Sequence, residues 1–193
     1  MKSRILSLLI IFFIWCNSAI AQGYKKVLEQ QFMHYTNLII KKDFKSAADF
    51  IIEDLYTLVP KEQMITAMES IFNMPDFDYH IDSAKVLKIG DPKLIDSAHF
   101  VKLQYSNLLR MRFGNDSTQT DSASAESELL TLTLQSKFGE PNVTFNKATG
   151  YYTIYSVKDV IAKSKNLTEW KFIVLEDDKM PFLKKIVPKE LLE

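Results

Sequence analysis

Apolar residues recur at helical spacing through the first third of the chain and at strand spacing through most of the remainder, so helices precede a sheet. Leu28, Phe32, Tyr35 and Ile39 make one stripe, with Gln31 and Leu38 on its flank, and predict an amphipathic helix that breaks at "KKDF". Asp43 stands where it can cap a second helix, whose stripe is Phe44, Ala47, Ala48, Ile51 and Leu55. Pro60 opens a third with Met64, Ile65, Met68, Ile71 and Phe72 on its apolar face, ending near Asn73 before Pro75.

From Phe77 the period becomes two. "FDYHIDSAKVLKIG" reads as a strand, Gly90-Asp91-Pro92 as a turn, and "HFVKLQYSNLLRMRF" as a long strand pairing back antiparallel. Alternation puts His99, Val101, Leu103, Tyr105, Asn107, Leu109, Met111 and Phe113 on one side, which is the buried one, and Lys102, Gln104, Ser106, Arg110 and Arg112 on the other. Residues 114–128 are small and polar and predict an exposed loop. "ELLTLTLQSKFG" fits either period and is assigned to a helix stopped by Gly139 and Pro141. "NVTFN" and "GYYTIYSVKDVIA" predict paired strands around a turn at 147–150, "TEWKFIVLE" a final central strand, and "PFLKKIVPKELL" a short C-terminal helix.

The first 21 residues change the picture of where this domain begins. Lys2 and Arg4, an apolar run from Ile5 to Trp15 and the ending Ala19-Ile20-Ala21 predict a secretory signal peptide cut between Ala21 and Gln22, which leaves a single domain over 22–193. The run is short for a bilayer span, so no membrane-spanning segment is expected after cleavage. Cys16, the only cysteine, lies inside this leader behind bulky Trp15, an unfavourable context for lipid attachment. The mature chain then has no disulfide, thiol nucleophile or cysteine-held metal, and a periplasmic or secreted protein of the Gram-negative bacterial envelope is expected.

Loss of Lys2 and Arg4 takes 24 basic residues to 22 against 24 acidic ones, a charge of −2. With no basic stripe and no glycine-rich phosphate loop, nucleic-acid and nucleotide binding are disfavoured. No cofactor is implied. His34, His80 and His99 lack metal-ligand spacing, so no metal site is expected, and no Gly-x-Ser-x-Gly elbow marks a serine hydrolase.

Three helices followed by long antiparallel strands, with the helix ending in "KKDF", the strand "HFVKLQYSNL" and the segment "EWKFIVLEDD", resemble the nuclear-transport-factor-2-like superfamily, the cystatin-like or ketosteroid-isomerase-like cone fold. The resemblance runs from about Tyr24 to Lys179; the segment 114–128 with its helix and the C-terminal helix extend beyond a minimal member. It implies an α+β fold with N-terminal helices packed on a strongly curved antiparallel β-sheet, cone-shaped, plus the short C-terminal helix. It also implies a conical pocket, which His99, Tyr105 and Asn107 would line and Tyr35 would approach from the first helix. The competing account is that neighbouring backbone groups satisfy each polar residue.

Three functions follow. The first is a non-catalytic binding or accessory protein holding a small apolar ligand. The second is a cofactor-free isomerase or dehydratase in the same pocket, which needs a carboxylate beside Tyr105; Asp43, Asp49, Glu53, Asp54 and Asp159 are the acids on offer, with the side occupied by Asp159 unassigned. The third is an envelope interaction module that forms a homodimer or docks a partner through the sheet. Tyr151, Tyr152 and Tyr155 are either sheet packing or a stacking surface. The tripeptide Asp-Ser-Ala occurs at 82–84, 96–98 and 121–123 and resembles an O-glycosylation acceptor signal of bacterial envelope proteins, with Ser122 the preferred acceptor. Asn115, Asn142 and Asn166 open Asn-x-Ser/Thr sequons, which matter only in a eukaryotic host.

Overall fold

The computed structural model describes residues 23–114, 121–175 and 183–192, with side chains described throughout except at 121–126. The expected cleavage site, Ala21-Gln22, lies outside the described residues. The architecture is α+β: helices and a six-stranded antiparallel sheet that is not closed on itself. Among the described residues no helix is long and apolar enough to cross a membrane.

Helix α1 spans residues 23–40 and buries Tyr24, Leu28, Phe32 and Thr36. Asp43 caps α2 (Phe44–Ala48), its side chain accepting from the Ser46 N–H at 3.1 Å. The second helix is shorter than its stripe predicts. Ile51 and Leu55 are buried, but Ile51 bridges to Phe172 and Leu55 belongs to a separate 3-10 turn, Glu53–Thr57. Backbone bonds from Ile52 N–H to Phe172 C=O (3.1 Å) and from Phe172 N–H to Phe50 C=O (2.7 Å) outcompete helix continuation there. Helix α3 (Lys61–Phe72) follows Pro60 as expected; its apolar face is only half-buried, and Ile71 is exposed.

The sheet is built around two long strands, β3 (Ala98–Phe113) and β5 (Tyr151–Ser164), paired from His99↔Ser164 to Met111↔Tyr152. On the far side of β3 lie β1 (Phe77–Ile89) and β2 (Lys93–Ile95); on the far side of β5 lie β4 (Val143–Asn146) and β6 (Lys171–Val174). The short β2 and its Asp96-Ser97 hairpin were not expected, because three residues cannot display a period. β6 is marginal rather than central: it pairs with β5 on one side, and the Phe50–Ile52 backbone closes the other.

Directly opposed residues share a face, so the register assigns each core residue to a side of the sheet. On the inner side, Val101, Leu103, Tyr105, Val160, Ala162 and Phe172 pack beneath α1. Further along the same side, Leu109, Met111, Tyr152 and Ile154 meet Leu134 of α4 (Asp121–Phe138). α4 confirms the helical choice for its sequence but starts at Asp121, inside the expected loop. On the outer side, Phe100, Ile161 and Ile173 are covered by Leu183, Val187 and Leu191 of the C-terminal segment. That segment is α5 (Leu183–Ile186) plus a 3-10 turn, Lys189–Leu191, because Pro188 cannot donate to a continuous helix. Phe113, expected inside, is 49% exposed, since its strand runs past the helices that cover its neighbours.

Candidate functional site

Within the inner face of the sheet, between its two apolar clusters, lies a polar interruption. Tyr105 lies opposite Lys158 on β5, and two positions along, Asn107 lies opposite Ser156. Four polar side chains therefore adjoin one another midway along a mainly apolar face, whose other polar pair, His99 and Ser164, is at the strand end. The cluster beneath α1 reaches Tyr105 and the cluster beneath α4 begins at Leu109, so the Asn107–Ser156 row falls in the seam between them.

Tyr105 is held by Phe32, whose ring meets it edge-on at 4.9 Å. Asn107 is 3% exposed and its Nδ2 donates to the Tyr105 hydroxyl at 3.4 Å, a long bond. Its Oδ1 is buried with no hydrogen-bond partner among the described residues. An unmet buried acceptor costs about 1–3 kcal/mol, a penalty that any donor reaching it would remove. Ser156 is equally buried at 3%.

Of the expected pocket residues, the structure brings Tyr105 and Asn107 together. Tyr35 comes near through Phe32, 6.1 Å ring to ring, but stacks chiefly on Phe172 at 5.9 Å. His99 is half-buried and paired with Ser164, six positions from Tyr105 or about 20 Å at strand rise, so it stands well apart from Tyr105 and Asn107 along β3. Lys158 and Ser156 were missed. Strict alternation along β5 would have placed them with Tyr152, Ile154 and Val160; a lysine on an apolar side concealed that register.

The acids named for proton abstraction go elsewhere. Asp159 bonds Gln104 and pairs with Lys102 at 3.1 Å, on the outer face. Asp43 caps α2, Asp49 pairs with Lys61, Asp54 pairs with Lys163, and Glu53 is exposed. None of these five stands beside Tyr105.

The tyrosine cluster is divided by the pleat. Tyr152 is inside, stacked on Phe145 at 4.5 Å and bonded to Ser127 C=O at 2.8 Å, whereas Tyr155 is outside and 42% exposed. Tyr151 donates to Asp78, with the Arg112 guanidinium over its ring at 4.9 Å and His80 Nε2 on the other Asp78 oxygen at 2.8 Å. The Tyr151 hydroxyl first, then His80 and Arg112, hold the Asp78 carboxyl below the usual carboxylate range. A lowered carboxyl pKa adds stability that is complete above the unfolded value of about 3.9 and disappears as pH falls through the folded one. Tyr151→Phe should therefore move the Asp78 titration up towards that ordinary value, as read by carboxyl-carbon NMR. An unmoved titration would assign the effect to His80 and Arg112 alone.

Two surface clefts, of about 490 and 500 Å3, lie away from this seam. The first opens between Asp96, Phe100, Lys163 and the 184–190 segment; the second lies between His34, Phe50 and Trp170. Among the described residues no group of three His, Cys, Asp or Glu side chains is placed to hold a metal ion. Comparison of the chain with protein-family models, curated proteins and solved structures returns no match.

Proposed function

We propose that this chain is a non-catalytic binding or accessory protein of the bacterial envelope, exported by its N-terminal leader and built as a nuclear-transport-factor-2-like cone. Its ligand is a small, mainly apolar molecule with one hydrogen-bond-donating end, read by Asn107 in the seam between α1 and α4. The observation that carries this reading is the Asn107 side chain, 3% exposed, with its Oδ1 unpaired among the described residues. A hydroxyl or amide N–H entering the seam would satisfy that oxygen, and the apolar remainder would have to part the packed side chains that flank it, Leu109 and Ile154 on one side and Phe32 on the other.

The test uses octan-1-ol and methyl octyl ether as probes of similar length, one with a donor and one without. Octan-1-ol at a hundredfold excess over its Kd should raise stability by about 2.7 kcal/mol, on the order of 5–10 °C in Tm, and the ether should not. Asn107→Leu should remove the octanol response while making the free protein more stable by about 1–3 kcal/mol, because the unpaired acceptor is gone. Equal responses to the two probes, or an octanol response that survives the substitution, would sink the reading.

A second reading, docking of a second copy on the sheet, draws on Tyr155 and Val157, 42% and 44% exposed beside half-buried Leu108 on the outer face. Self-association through that face would leave the octanol response unchanged and would not depend on Asn107.

A further inference from the structure

The recurring tripeptide Asp-Ser-Ala is left over by the binding reading, and two of its three copies share one kind of placement, while the third opens α4. Ser83 sits in β1 where the register with β3 shifts between Asp82 and Lys85, so it is bulged out of the ladder. Ser97 is the second residue of the two-residue hairpin between β2 and β3, flanked by the Ile95↔Ala98 pair. Both serines are exposed, and both have left-handed backbones, with φ of 53° and 65°. Two distant copies of one sequence thus present a serine hydroxyl on the same unusual backbone, outside regular pairing and open to solvent.

Local stability does not account for this choice. Asp96 and Ser97 both have positive φ, at 47° and 65°, the geometry of a hairpin turn that Asn-Gly adopts with less strain. An Asp-Ser pair there gives up turn stability and keeps a carboxylate next to a hydroxyl. The sequons behave differently. Asn142 spends its Nδ2 on the Phe138 C=O at 2.7 Å, and the Asn166 Oδ1 accepts from Thr168 and Glu169 N–H at 3.0 Å, so the described sequon asparagines are turn-forming.

We infer that Ser97 and Ser83 are O-glycosylation acceptors for an extracytoplasmic transferase that reads the exposed Asp-Ser-Ala turn. The step is a group transfer without redox change. Serine Oγ forms a bond to the anomeric carbon of a glycosyl polyprenyl diphosphate as the bond from that carbon to the diphosphate breaks. The diphosphate leaves with the electron pair, and the serine proton passes to a base on the transferase. Ser97 is the stronger acceptor of the two, because Asp96 is exposed whereas the Asp82 carboxylate is engaged by Arg110 Nε at 2.7 Å. Ser122 lies in the first turn of α4, and its side chain is outside the described set.

This inference rests on export to the envelope, so one experiment must report on both. The full chain is purified from the envelope of its native host, beside the same chain made in a cytoplasm, and both are analysed by intact mass and peptide fragmentation. The expected result is a chain beginning at Gln22 with sugar-sized increments on the Ser97 peptide and, at lower occupancy, on the Ser83 peptide. Ser97→Ala and Ser83→Ala should each remove their own increment without altering the melting curve, and Asp96→Ala should lower occupancy at Ser97. A chain beginning at Gln22 with both serines bare, modified only at Ser122, or carrying phosphate-sized increments overturns the inference alone. A bare chain that retains residues 1–21 overturns export and the inference together.

Discussion

Phe32→Ala is expected to destabilise the protein by about 3–5 kcal/mol, the usual cost of emptying a ring-sized volume in a packed core. Phe32 is 0% exposed and holds three aromatic partners at once: Tyr105 at 4.9 Å, Phe172 at 5.2 Å and Tyr35 at 6.1 Å. Those partners come from β3, β6 and α1 itself, so the ring ties α1 to strands on both sides of β5. Collapse around the void would require α1 to move towards the sheet. Tyr24 resists this, because its hydroxyl donates to Gly90 C=O at 3.1 Å and fixes the start of the helix. Urea denaturation should show the loss at unchanged m-value, with a fall in Tm on the order of 10 °C. Leu132→Ala is the control: its side chain is 58% exposed, so the expected change is within about 0.5 kcal/mol. A loss below about 1 kcal/mol for Phe32→Ala would mean that α1 does not dock on the sheet through this ring.

The second large effect is expected at Gly90, where the reason for glycine is space. A Cβ there would lie 2.9 Å from the Lys102 carbonyl oxygen, a backbone atom that cannot swing aside. The Gly90 N–H donates to that same oxygen at 2.9 Å, so relieving the contact lengthens the bond. It also displaces the Gly90 carbonyl from the Tyr24 hydroxyl. Gly90→Ala should cost about 1–3 kcal/mol by overpacking. Hydrogen exchange should show the Gly90 and Lys102 region opening more readily, together with the first turn of α1. Gly23→Ala is the internal contrast. Nothing lies within 4 Å of a Cβ at that position, so the substitution should be neutral or slightly stabilising. Equal effects at the two glycines would refute the close-approach argument.

Much of this fold is legible as local pattern. The change of period at Phe77, the Asp43 cap, the Pro60 start and the inward alternation of β3 each depend on residues a few positions apart, and each stands in the structure. Gly90-Asp91-Pro92 is not the expected turn: it only separates β1 from β2 along one edge of β3, and the chain reverses at Asp96-Ser97. The misreadings share a cause. "TEWKFIVLE" looked central because Phe172 and Ile173 are both buried, at 0% and 6%. Their burial comes from cover on both faces, by α1 on one and the C-terminal turns on the other, with only one strand neighbour. Continuous hydrophobicity reports burial of both faces, which a marginal strand can also have. In the same way, Ile51 and Leu55 kept a helical spacing after the helix had ended, because two successive short elements both turned an apolar residue inwards.

The candidate site divides along the same line. By itself the sequence determined that Tyr105 and Asn107 are polar residues on the buried side of a long strand, since side chains two apart on a strand must share a face. Only the tertiary structure decided what they meet. The β3–β5 register sets Lys158 and Ser156 against them from about fifty residues away, and the separate docking of α1 and α4 leaves Asn107 in the seam with its Oδ1 unpaired among the described residues. Hydrophobic period is a property of neighbours in the chain, and it selects which face is buried. Register and helix docking are chosen by long-range contacts between such faces, and those contacts determine whether a buried polar group finds its partner.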